Sequence, residues 1–139
     1  MEKQMIFNVK KFIKFINAAQ WDKVSGFFHK EVEYTDPFCP TAVSSADRVL
    51  TVIQEQSTIF PGFEYILVRS FHEDNHIVLE LTRKGKKIVW NEREFAVNYS
   101  LPVVVLLDIK DGKITSYRGF FDVGEILRTL ENASLKKSN

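Results

Sequence analysis

Apolar residues recur at steps of three and four across residues 5–19, at Met5, Val9, Phe12, Ile13 and Ile16, with Lys10, Lys11, Lys14 and Asn17 between them. That spacing predicts an amphipathic helix. Gln20 interrupts it, and Trp21, Val24, Phe27 and Phe28 predict a second, shorter helix. The period then drops to two: Val32, Tyr34 and Asp36 alternate with Glu31, Glu33 and Thr35, as in a short strand. Pro37 is expected to end that strand, with Phe38, Cys39 and Pro40 in a loop, because proline cannot donate within a central ladder. A third helix is expected next, capped by Ser44 or Ser45, with Ala46, Val49, Leu50 and Ile53 on its apolar side and Pro61-Gly62 as its stop.

From Phe63 onward period two dominates. Residues 63–71 and 77–83 read as strands joined at Asp74-Asn75, and Lys84-Gly85-Lys86-Lys87 reads as the next turn. Residues 88–90 and 95–109 follow, as one long strand or as one broken at residues 91–93. Asp111-Gly112 is a strong hairpin signal before a last strand at 114–121, and residues 123–130 predict a closing helical turn or two. Segregated helices and consecutive hairpins mean an α+β domain: a curved antiparallel sheet, three N-terminal helices on its concave face and a short C-terminal helix. One domain is expected over residues 1–131, with a frayed tail at 132–139.

Residues 101–107 are apolar on both faces of their strand, so both faces are expected to be covered, one by helices and a cavity, the other by a second subunit. The run is far shorter than the roughly 18 residues of a membrane span. With no apolar leader segment at the start, the expected location is the cytoplasm, away from membranes. A net charge of +1 argues against a nucleic-acid partner, and a single cysteine against a disulfide framework. Twelve phenylalanines among 139 residues exceed what a small core needs, which suggests that some of them wall a pocket.

Three segments carry a family resemblance: residues 15–24 at the junction of the first two helices, Tyr34-Thr35-Asp36-Pro37, and Asp111-Gly112-Lys113-Ile114 followed by residues 117–122. Together they resemble the SnoaL-like superfamily, which includes nuclear transport factor two, ketosteroid isomerase, limonene epoxide hydrolase and polyketide cyclases. The resemblance implies a cone with a pocket at one end and a homodimer through the outer sheet face. It implies no single activity, since enzymes and non-enzymes share this fold.

Asp36 is the sharpest candidate. By resemblance it matches the general base of ketosteroid isomerase. Tyr34, on the same face by period two, matches a water-holding tyrosine of limonene epoxide hydrolase. A carboxylate among apolar groups loses hydration, which favours proton uptake; the alternative role is a hydrogen-bonded turn before Pro37. Other motif positions depart from the enzymes: Phe12 stands where the isomerase has a tyrosine, and Val103 or Val104 where it has a protonated aspartate. Gly119 stands where the hydrolase has its catalytic aspartate, and the Arg and Asp partners of that residue fall on Leu81 and Arg83.

The expected pocket residues are Phe12, Phe15, Trp90, Tyr99, Tyr117, Gly119 and Phe121. His29, His72 and His76 have no metal-ligand spacing, Cys39 reads as a small apolar residue, and Asp122 as a helix cap. Two functions are therefore expected. One is an isomerase, cyclase or hydratase acting without cofactor or metal on a hydrophobic cyclic metabolite, with Asp36 as base and Tyr34 as donor. The other is a non-catalytic dimeric domain that binds a hydrophobic ligand or another protein.

Overall fold

A computed structural model describes the backbone of residues 7–137 and the side chains of residues 7–134. Met5 and Ile6 lie outside the described residues. The first helix, α1 (Val9–Asn17), buries Val9, Phe12, Ile13 and Ile16, the stripe expected from the three-and-four spacing, and Asn8 caps it by accepting the Lys11 N–H. The second, α2 (Trp21–Ser25), is only five residues long. Gly26 ends it, and Phe28 belongs not to this helix but to strand β1 (Phe28–Asp36).

After β1 the chain does not loop, as expected, but turns back as β2 (Cys39–Ser44), paired antiparallel with β1. Pro40 is tolerated there because β2 is an edge strand. Ser45 then caps α3 (Ala46–Ile59) by accepting the Arg48 N–H, and Val49, Ile53 and Gln56 form the buried face of the helix. β3 (Glu64–Glu73) and β4 (His76–Trp90) form a hairpin at Asp74-Asn75. Here a second expectation is corrected: residues 84–87 are not a turn. β4 runs straight through them, with an irregularity in register between Gly85 and Lys87. The real reversal is at Asn91-Glu92, both at positive φ, and leads into β5 (Arg93–Lys110).

Asp111-Gly112 turns the chain into β6 (Lys113–Phe120), also with both φ values positive, as a type I′ hairpin requires. Asp122 accepts the Gly124 N–H and opens α4 (Val123–Lys137), which is longer than its apolar spacing predicts and buries Ile126, Leu130 and Ala133.

The strands form one curved, unclosed sheet in the order β2-β1-β6-β5-β4-β3. It is mixed rather than wholly antiparallel, because β1 and β6 pair in parallel, with Tyr34 opposite Tyr117. α3 lies against β1 and β4, α1 against β3 and α4 against β5. Along β5, Leu101, Val103, Val105 and Leu107 point into the core. The intervening Pro102 and Val104 are exposed and Leu106 is half-buried, so this chain alone covers one face of the apolar run and leaves the other open. No helix among the described residues is long and apolar enough to cross a membrane.

Candidate functional site

Alternation along β1 sends Val32, Tyr34 and Asp36 to the inner face, and all three are buried. The Asp36 carboxylate is fully engaged. Its Oδ1 accepts the backbone N–H groups of Phe38 and Cys39, each at 2.7 Å, which fixes the turn into β2. Its Oδ2 accepts from the Tyr34 hydroxyl and, at 2.9 Å, from Gln56 Nε2. Gln56 reaches this point because it lies on the same face of α3 as Val49 and Ile53. The amide then relays polarity onward: its Oε1 accepts at 2.6 Å from Arg83 Nη2, which also donates to the Tyr65 hydroxyl. A buried chain thus runs Tyr34–Asp36–Gln56–Arg83–Tyr65 across three strands and one helix.

Burial is the main cause that holds the Tyr34 and Tyr117 hydroxyls well above the ordinary phenol range, and the neighbouring Asp36 charge adds to it in both. Tyr99 is pushed up to about 12 by burial, with Arg83 pulling the other way. At Arg83 burial works to lower the guanidinium, and the interaction with Tyr65, followed by Tyr117 and Tyr34, outweighs it, so the group stays charged. Burial and the nearby Asp36 and Glu55 raise the Cys39 thiol, which disfavours a reactive thiolate.

The expected site residues fall into separate groups. Tyr34, Asp36, Tyr117 and Gly119 come together: the rings of Tyr34 and Tyr117 stack at 4.9 Å, and a β-carbon on Gly119 would lie 3.5 Å from that of Asp36. Phe121 packs edge-on against Phe38 at 4.9 Å, and Phe38 in turn meets Trp90 at 5.8 Å. Tyr99 packs on Phe60. Phe12 and Phe15 belong to another group, around Phe27, with Phe7 and Phe28 beside Phe12.

A cavity of about 670 Å³ opens where β6 ends and the chain leaves the sheet for α4. It is lined by Leu101, Val103, Phe121 and Ile126, with Arg83 at its wall, Asp122 and Glu125 on the α4 side, and Ser100, Pro102, Val104 and Phe120 completing it. Of the expected pocket residues, Phe121 lines it. Arg83, Gln56 and Tyr65 are the members that sequence reasoning missed. The signal for Arg83 was its parity with Leu79 and Leu81 on β4, obscured by reading the lysines after it as a turn. Gln56 was signalled by its spacing from Val49 and Ile53, and Tyr65 by its alternation with Phe63.

A curved sheet wrapped by helices around one buried polar chain places the molecule in the ketosteroid isomerase-like, or nuclear transport factor two-like, class of α+β folds. The family model for the SnoaL-like domain matches residues 9–117, and the chain belongs to that family. No curated protein matches it in sequence. Among solved structures it is similar to a protein of ketosteroid isomerase-like fold from Catenulispora acidiphila, in complex with trimethylamine (TM-score 0.75, 12% identity, covering 87% of this chain and 89% of that one). An LEH-like epoxide hydrolase from M. tuberculosis is also similar (TM-score 0.69, 18% identity, 91% and 89% covered). So is an NTF2-like protein from Cytophaga hutchinsonii (TM-score 0.66, 17% identity, 91% and 99% covered). At these identities the likeness is one of fold.

Proposed function

We propose that the protein binds a small, mostly apolar molecule in the cavity between β5 and α4, and that Asp36 serves as a positioning residue, not as a base. The observation that carries this reading is the cavity itself: about 670 Å³, walled by Leu101, Val103, Phe121 and Ile126. Small-molecule sites commonly span about 300–1,000 Å³ with mainly apolar walls. Asp36 does not line it, and all its hydrogen-bonding capacity goes to Phe38, Cys39, Tyr34 and Gln56. Proton abstraction would require one of those four bonds to be given up to a substrate.

Binding is checked with the neutral fluorescent probe N-phenyl-1-naphthylamine. The wild-type chain should bind it with a blue shift, and Val103→Trp, which narrows the cavity from the β5 wall, should weaken binding at least tenfold while the far-ultraviolet circular dichroism stays native. Equal binding by both proteins would remove the cavity as the site.

For the partner, the reading is a second copy of this chain, seated on the outer face of the sheet. That face leaves Val104 37%, Phe120 48% and Phe71 57% exposed, with Val104 and Phe120 paired side by side across β5 and β6, where they also border the cavity. A two-fold axis would set this patch against the same patch of the second copy. Light scattering at micromolar concentration should give twice the 16.1 kDa of one chain, and Phe120→Asp should return the single-chain mass. A single-chain mass for the wild type would refute the dimer.

A further inference from the structure

Asp36 is satisfied by its neighbours; Arg83 is not. Its side chain is among the most deeply buried in the molecule, at 2% exposure. Both of its hydrogen bonds leave from Nη2 and end on neutral acceptors, Gln56 Oε1 and the Tyr65 hydroxyl. Its Nε is buried without a partner. None of the ion pairs among the described residues includes it, and Asp36 is reached only through Gln56. The rings of Phe60, Phe63, Tyr65 and Phe121 surround the guanidinium at 4.5 to 5.5 Å. Such rings attract a cation but supply no counter-charge, and a buried charge without one is costly.

Arg83 also lines the cavity, where Leu101, Val103, Phe121 and Ile126 form an apolar wall beside it. We propose that the cavity selects an anionic ligand, an apolar body bearing a carboxylate, and that Arg83 is the residue that binds the carboxylate. This rests on the cavity being the binding site and adds the chemical class of the ligand. A planar guanidinium with unused N–H groups matches a carboxylate in geometry as well as charge.

A second buried polar atom without a partner, the Tyr99 hydroxyl, belongs to the same part of the sheet: Tyr99 stands opposite Gly85, and Arg83 opposite Leu101, on adjacent inward positions of β4 and β5. The phenol keeps its proton, but its ring packs on Phe60 and its hydroxyl lies over Gly85, outside the cavity lining, which leaves Arg83 as the cavity's buried donor. The acids of the cavity, Asp122 and Glu125, do not oppose this. Both are tied to Arg128, at 3.2 and 2.8 Å, with side chains about half exposed or more, where solvent screens them.

The test compares three ligands with one ring system, 2-naphthoate, 2-naphthamide and 2-naphthylmethylamine, by calorimetry at neutral pH and low salt. Naphthoate should bind at least tenfold more tightly than the amide, and the amine most weakly. Arg83→Gln should bring acid and amide to within about twofold of each other, and Arg83→Lys should keep part of the preference. The comparison on the wild-type chain needs no variant, so it decides the matter even where Arg83→Gln fails to fold. Acid and amide bound alike, or the amine bound best, would overturn the carboxylate assignment. If the neutral probe N-phenyl-1-naphthylamine still bound, the cavity reading would survive; if that probe and all three naphthalenes failed to bind, the cavity reading would fall with it.

Discussion

Gly85 sits inside a long strand, at the point where β4 shifts register, and a β-carbon there would lie 2.2 Å from the Tyr99 hydroxyl oxygen and 2.5 Å from the ring carbon that bears it. The Tyr99 ring is buried against Phe60 and cannot swing clear. Gly85→Ala should therefore destabilise the fold by about 1–3 kcal/mol, the usual cost of overpacking, and urea unfolding will read it. In the sequence the same glycine, flanked by lysines, looked like a turn tip, because composition cannot distinguish a glycine needed for φ from one needed for space. Alternation did place Tyr34 and Asp36 on one inner face, but it was silent on what they would meet. Gln56 arrives from a helix twenty residues further along the chain, and no local spacing reports that encounter.

Most element boundaries were legible where periodicity and a turn signal agreed. α1, α3, the Asp74-Asn75 hairpin and the Asp111-Gly112 hairpin all carry both. β2 was not legible, because one proline precedes so short a segment and another lies within it, and its pairing is set by the Asp36 side chain holding the turn. The reversal at Asn91-Glu92 was hard to locate for a related reason: glutamate is a poor residue for its φ of 64°. Replacing it with glycine, to give Asn-Gly in a type I′ geometry, should stabilise the protein by about 1 kcal/mol. A rise in the urea midpoint with an unchanged slope will confirm this, and no rise would mean the loop strain is relieved elsewhere.

For the molecule as a whole, the class and the shared face of Tyr34 and Asp36 on the first strand could be read from the chain, but strand neighbours could not. Period two assigns a face and nothing more, so the parallel pairing of the first and last strands emerges only in three dimensions. That pairing stacks Tyr34 on Tyr117 and gives stability a distinct pH dependence. Both phenols keep their protons in the folded chain well past the value near 10 at which they lose them when unfolded. Their contribution is complete below pH 10 and declines above it, because the unfolded chain then releases protons that the folded chain retains. With about 1.4 kcal/mol per pH unit for each group, the two tyrosines should cost about 3 kcal/mol by pH 11 relative to pH 9. Urea midpoints across that range will test it, and Tyr117→Phe should flatten the decline.

Pro102 stands in the middle of the most apolar strand, yet β6 has already ended: its last partner is Phe120, opposite Val104. Residues 100–103 therefore have a neighbour on the β4 side only, and on the other side border the cavity. An unpaired strand edge, in a strand rich in valine and leucine, is a template on which a stray chain could assemble into a growing aggregate. Proline has no N–H to offer such a chain. The residue that looks least suited to a strand thus interrupts, at the border of the cavity, the ladder that a stray polypeptide would need to climb.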